Sequence, residues 1–424
     1  MRSNELKMGI FSCLILFSLY SCEVEKIEPA NPLPDTEQSK SEDTKQPEET
    51  AKPGGSELPN QLEVIGNGSG SLIIKDVEGK KYSIKPGTYS SFHLENIKNS
   101  SIDGLNQVKI KNGSVYMSRV NGLTLNNISI EESNQPAITI YDEANDLTLQ
   151  NINIKNIGNE AIKFLLDKKY DGSPSSYSKN IHLINIKAEN IGTLFGSKGE
   201  IKSDGFYGLI KGFKLTNSSI TNSPNLSNGI YVGCVEDYEI SNNIVNNVNR
   251  SENYPDGNNN HNGIFHLNGN GKFFKNKITN HQGNGLRAWL FSITKPGVVE
   301  IYDNIVYNST RYSAFELQVP PYMEALPSFK SADAKVFNNT TGLLNTGQPK
   351  YYEGRIVDIY QTHGNVEVYN NLYFNMRDNI ASLNQSNPND TNVKEINNVY
   401  FNNTVDAVLD LINFKSKVSG VGAR

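Results

Sequence analysis

One phrase returns along this chain from about residue 108 to its end: a short strand-like stretch closed by an Asn-rich turn. It reads Leu123-Thr124-Leu125-Asn126-Asn127-Ile128, then Leu147-Thr148-Leu149-Gln150-Asn151-Ile152. Variants follow at Ile181–Ile186, Phe213–Ile220, Tyr238–Ile244, Lys272–Ile278, Val299–Ile305, Lys335–Thr340, Val366–Leu372 and Lys394–Val399. The step from Leu123 to Leu147 is 24 residues (147 − 123) and from Phe213 to Tyr238 it is 25 (238 − 213). Longer steps, such as the 34 from Tyr238 to Lys272 (272 − 238), are a basic coil plus a loop insertion. A unit this short cannot enclose a core of its own, so it must stack on its neighbours.

A second strand family is interleaved with the first: Ala137–Ile140, Ala161–Phe164, Gly205–Gly208, Gly229–Val232, Gly263–His266, Gly285–Ala288, Ala314–Leu317 and Ile356–Ile359. Side chains alternate faces along a strand. The second and fourth positions are nearly all apolar (Ile138/Ile140, Ile162/Phe164, Ile230/Val232, Phe315/Leu317, Val357/Ile359), so they face the core and the third position faces solvent. Asn-Gly and Asp-Gly pairs before these strands ordinarily signal hairpins. Here the same two strand types recur in the same order without reversal, which makes a parallel solenoid. The Asn residues supply turn positions that tolerate left-handed backbone angles, and stacked Asn side chains can bond along the solenoid axis.

This phrasing resembles the right-handed parallel β-helix proteins, the pectate-lyase-like superfamily of polysaccharide-active enzymes. The resemblance covers residues 61–424 and includes an opening coil, Tyr82-Ser83-Ile84-Lys85-Pro86-Gly87-Thr88-Tyr89. It implies an all-β solenoid of about ten or more coils and a polysaccharide partner. No catalytic signature of one lyase or glycosidase family is present to be carried over.

The chain begins with Arg2 and Lys7 before an apolar run, Met8–Tyr20, too short for a lasting membrane span and proportioned like a secretory signal peptide. The run ends in Leu19-Tyr20-Ser21-Cys22, which looks like a bacterial lipobox. The expectation is a signal peptide at 1–21, lipidation of Cys22, and an outer-membrane, lipid-anchored protein facing the periplasm or the cell surface. Residues 22–60 are rich in Glu, Lys, Ser and Thr with Pro29, Pro32, Pro34, Pro47, Pro53 and Pro59, a composition that cannot offset ordering entropy and predicts a disordered tether. A net charge of −5 without a basic stripe argues against nucleic acid. Once Cys13 is cleaved off and Cys22 lipidated, Cys234 has no partner for a disulfide and reads as a core filler. The expected assembly is a monomer that touches membrane only through its anchor.

The solvent-facing column of the second family reads Thr139, Lys163, Tyr207, Tyr231, Phe265, Arg287, Glu316, Asp358, with Trp289, Gln318 and Tyr360 two positions further along their strands. Parallel rungs lie about 4.8 Å apart. Rings stack on apolar sugar faces, and Arg and carboxylates bond hydroxyls or uronic acid groups. Lys163, Tyr207, Tyr231, Phe265, Trp289 and Tyr360 are therefore candidate glycan-binding residues. The bland reading is a stabilising ladder with Arg287–Glu316 as a cross-rung ion pair. Insertions at 192–203, 249–260, 167–179, 320–333 and 342–354 cluster around these strands and favour a walled groove.

Two chemistries fit such a groove. In β-elimination a base removes the proton beside a uronate carboxylate while a cation stabilises the enolate; Arg287 is the candidate cation and His261 the candidate base. Hydrolysis instead pairs Glu316 with Asp358, whose adjacent rungs suit the retaining separation of about 5–5.5 Å. A non-catalytic glycan-binding or adhesive protein needs the groove alone. His266 falls on the inward column with Val232 and Ala288, and His261 could approach His281 across one coil. No transition-metal spacing is present; calcium is left open through loop carboxylates such as Asp256. Residues 405–412 are expected to cap the open end of the solenoid.

Overall fold

The computed structural model describes residues 62–249, 263–347, 354–376, 382–385 and 392–424, all within the unit Pro59–Arg424. The segments carrying the signal peptide, Cys22, the tether, His261 and Asp256 lie outside the described residues.

The described body is an all-β parallel β-helix in which 26 strands form one continuous hydrogen-bonded system, with two separate two-stranded pairs beside it. Each rung pairs with the next in parallel register, and the right-handed course is the one that twisted parallel strands adopt. The core is built from stacked columns. One runs Ile162, Phe195, Ile230, Phe265, Leu286, Phe315, Val357, Leu383 through successive rungs. All but the last are completely buried. Phe265 and Phe315 close on Phe273 with ring centroids 5.2 and 6.4 Å away.

The Asn-Asn phrase resolves into two roles. Its first residue takes the left-handed turn: Asn242, Asn338, Asn370 and Asn397 have φ between 51° and 56°, and Lys275 and Asp303 fill the same place at 55°. Its second residue turns inward and forms a ladder, Asn243, Asn276, Asn304, Asn339, Asn371, Asn398. Each Nδ2 donates to the next Oδ1 at 2.9–3.0 Å. The same Nδ2 of Asn276, Asn304 and Asn339 donates to the carbonyls of Ile240, Phe273 and Ile301, each at 2.9 Å. Backbone N–H groups of Asn276, Asn304 and Asn339 donate to the following Oδ1 at 2.9–3.0 Å. Buried turn amides, costly when unpaired, are thereby satisfied coil after coil.

A second face carries an aromatic ladder, Phe274, Tyr302, Phe337, Tyr369, with centroids 4.8–5.0 Å apart and rings within 9° of parallel. Beside it charges alternate from rung to rung: Glu239, Lys272, Glu300, Lys335, Glu367, Lys394. These rings present edges to solvent because their faces are occupied by one another, so this face is a stability device.

Three expectations about the second strand family need correction. Phe265 is in the core, and His266 lies on the opposite side of the strand, where it is still buried at 8% exposure: Ile230 pairs with Phe265 and Tyr231 with His266. A one-residue phase change moves every side chain to the opposite face. Tyr207 is not on the column. Gly205–Tyr207 pairs antiparallel with Glu200–Lys202 as a hairpin, and the true rung is Lys187–Ser197, with Gly196 between Lys163 and Tyr231. Phe206 in that hairpin packs on Phe291, ring centroids 5.3 Å apart, which holds the insertion to the body. The insertion near 192–203 thus begins after Ser197.

The C-terminal segment runs back along the flank. Helix Val405–Val408 leads into a strand pair, Leu409–Asp410 with Lys415–Ser416. Val408, Leu409, Val421 and Ala423 cover Ile305, Leu372 and Phe374, and Ala423 N–H donates to Thr340 Oγ1 at 2.9 Å.

Candidate functional site

With the register corrected, the column over seven consecutive rungs is Lys163, Gly196, Tyr231, His266, Arg287, Glu316, Asp358. Trp289 pairs with Gln318 two positions on, and Tyr360 is half-buried at the end of its strand. Lys163, Tyr231, Arg287, Glu316, Asp358, Trp289 and Tyr360 are therefore on or beside one face, whereas Phe265 and Tyr207 are not. His281 lies on another strand set, aligned with Val248 and Ser309.

Arg287 is the centre of this face. Its Nε donates to Glu316 Oε1 at 2.8 Å; Glu316 is fully buried, and the Arg287 side chain keeps 20% of its surface exposed. With the Gln318 amide oxygen turned toward it, that oxygen accepts from Arg287 Nε at 3.0 Å, from Nη2 at 2.8 Å and from Trp289 Nε1 at 2.5 Å. A buried carboxylate on one edge and an amide anchored by an indole fix the plane of the guanidinium. Such a held fork suits a planar carboxylate better than a flexible ammonium does.

His266 sits on the rung beside Arg287. Its ring meets Tyr231 edge-on at 5.1 Å and Trp289 at 5.9 Å. Burial pushes the Tyr231 hydroxyl above the ordinary phenol range, so it stays protonated and able to donate. Beyond Tyr231 the column drops to Gly196, which leaves a cleft of about 620 Å³ lined by Lys163, Thr193, Lys198, Asn228 and Tyr231. Lys163 Nζ at its floor pairs with Glu160 at 2.8 Å.

Glu316 and Asp358 occupy adjacent rungs, as the repeat predicts. Both are fully buried, and Glu316 Oε1 is committed to Arg287. A hydrolytic acid–base pair needs both carboxyl groups at the glycosidic bond, and neither has any exposed surface, whereas Arg287 keeps 20% and His266, though buried, 8%. Glu316 thus serves the guanidinium of Arg287 as its ion-pair partner. Among the described residues, no group of three or more His, Cys, Asp or Glu side chains is placed to hold a metal ion.

His266, Gln318 and Gly196 are the site features that the strand phrases did not single out as functional. His266 carried a usable signal. At 263–267 the pair Phe265/Leu267 is apolar throughout, whereas Ile264/His266 is not, and that choice of phase places the histidine on the side of the strand that carries Tyr231 and Arg287.

No protein-family model matches the chain, and no curated protein matches it. Among solved structures, it is similar to a PL6 alginate lyase in complex with a trisaccharide (10% identity, TM-score 0.41, covering 86% of this chain and 91% of that one). It is also similar to the alginate lyase AlyF-OU02 in complex with G6 (10% identity, TM-score 0.32, the same coverage). Likeness of this degree says nothing of what this chain binds; the fold stands on its own strand register.

Proposed function

We propose that this protein binds a uronate-containing glycan along the face that carries Tyr231, His266 and Arg287 and cleaves it by β-elimination. The supporting observation is the placement of His266 and Arg287 on neighbouring rungs of one outward column, with the guanidinium held by Glu316 and Gln318. A uronate carboxylate on Arg287 brings its α-carbon toward the next rung, roughly 4.8 Å away. His266 takes the α-proton, and the charge that develops on the carboxylate is stabilised by Arg287. The electron pair forms the ring double bond and expels the glycosidic oxygen from the β-carbon, which takes a proton from Tyr231. Trp289 walls the groove beside this centre.

The test is to incubate the protein with a panel of polyuronates (polygalacturonate, alginate and a glucuronan) and follow the ultraviolet absorbance of the conjugated double bond alongside new reducing ends. Both should rise together on at least one polymer. Reducing ends without absorbance mean hydrolysis; binding with neither means a glycan-binding protein. Each overturns elimination.

Export and anchoring at Cys22 are part of the same proposal, supported by the Leu19-Tyr20-Ser21-Cys22 run before a polar tether. Cys22→Ser should move the protein from the membrane fraction to the soluble exported fraction of a bacterial host. Equal partitioning of variant and parent contradicts the anchor.

A further inference from the structure

The outward column does not begin at Lys163. In the first coils the same face carries Ile73, His93 and Tyr116, the first pair in register and Tyr116 aligned with Thr139; Lys163 follows one 24-residue period on (163 − 139). His93 and Tyr116 stack with centroids 5.0 Å apart. The stack is flanked by Ile73 at one end, 61% exposed, and by Tyr141 at the other, 41% exposed. These side chains line a cleft of about 490 Å³. Lys75 and Arg119 both reach Glu95, at 2.7 and 2.5 Å, and stiffen its rim.

We propose that these first coils form a second glycan-binding platform, and that one polymer chain runs from it along the column to Arg287. This rests on reading the Arg287 face as a glycan groove. Continuity chooses the occupant. Between the platform and Tyr231 the column holds Thr139, Lys163 and Gly196, and one cleft spans Lys163, Gly196 and Tyr231. The first-coil face differs from the Phe274–Tyr369 ladder, where both faces of the inner rings are covered by neighbouring rings. Here the stack ends at Tyr116, whose next rung is the small, buried Thr139, so an aromatic face and Tyr141 meet the cleft. From Tyr116 to Arg287 is six rungs, about 29 Å at the usual rung spacing. Only a long chain touches both ends, and the platform therefore selects polymers over short oligosaccharides.

Affinity electrophoresis of the full-length protein through gels cast with each polyuronate of the panel tests this, with an Ile73→Ser/Tyr141→Ala variant beside the parent. Both positions are exposed, so the fold should be retained. The variant should lose roughly fivefold or more in apparent affinity for polymer, while its turnover of a tetrasaccharide matches the parent. A variant retarded like the parent, a parent retarded by no polymer, or a variant altered only in oligomeric state overturns the platform. Failure of the cleavage reading shows separately: no substrate is turned over, yet the retardation difference between parent and variant persists.

Discussion

Arg287→Ala is expected to reduce kcat/KM on a polyuronate by about 10³-fold, the scale seen when a group that stabilises developing charge is removed. It should also destabilise the fold, because the fully buried Glu316 loses a guanidinium 2.8 Å away. Breaking a buried pair by removing one partner costs about 3–5 kcal/mol. The two effects can be separated. Arg287→Ala/Glu316→Gln also removes the buried carboxylate that has lost its guanidinium and should recover part of the unfolding midpoint without recovering activity. Arg287→Lys keeps the charge but gives up the planar fork that meets Glu316 and Gln318, so activity should still fall by about 10²-fold with a smaller change in stability. An Arg287→Lys protein with parental kcat/KM contradicts the assignment of this guanidinium to the reaction.

Asn304→Asp should be among the most destabilising isosteric changes in the chain. Asn304 Oδ1 accepts from the N–H and Nδ2 of Asn276, both at 3.0 Å, while its own Nδ2 donates to Phe273 O and Asn339 Oδ1, both at 2.9 Å. A carboxylate keeps the first pair and turns the second into two acceptor–acceptor contacts in a site without solvent. At about 1–3 kcal/mol for each buried polar group left unpaired, the loss is about 4 kcal/mol. The same change at Asn398, the last and partly exposed member of the ladder, should cost much less because water reaches it. Urea midpoints with unchanged slopes measure both. Equal effects at 304 and 398 contradict the ladder as a cooperative buried device.

Much of this architecture is legible in the chain itself. The 24-residue step, the Asn-Asn phrase and the apolar pairs at 138/140, 162/164, 230/232 and 315/317 each encode a rung, because each residue's role depends mainly on the coil above and below it. The column from Arg287 through Glu316 to Asp358 follows from that spacing. What failed to follow has a common cause. Alternation has period two, so in Ile264-Phe265-His266-Leu267 the phase hangs on one polar residue, against the Gly-led pattern of the neighbouring rungs, and packing of Phe265 on Phe273 settles it. Gly205-Phe206-Tyr207-Gly208 imitates a rung but is a hairpin pinned by Phe206 on Phe291, a contact between residues far apart in sequence. The burial of Glu316 and Asp358, with Glu316 paired to Arg287, is likewise set by neighbours from several coils. Local phrases carry coil geometry; insertions and the depth of polar groups are carried by contacts across the fold.

The most direct measurement of the central claim is a crystal structure of a His266→Gln variant soaked with an unsaturation-free uronate oligosaccharide. A sugar chain should lie along the column, with a uronate carboxylate on the Arg287 guanidinium, its α-hydrogen toward residue 266 and its leaving oxygen toward Tyr231. A chain bound on another face, or on this face with its carboxylates away from Arg287, contradicts it.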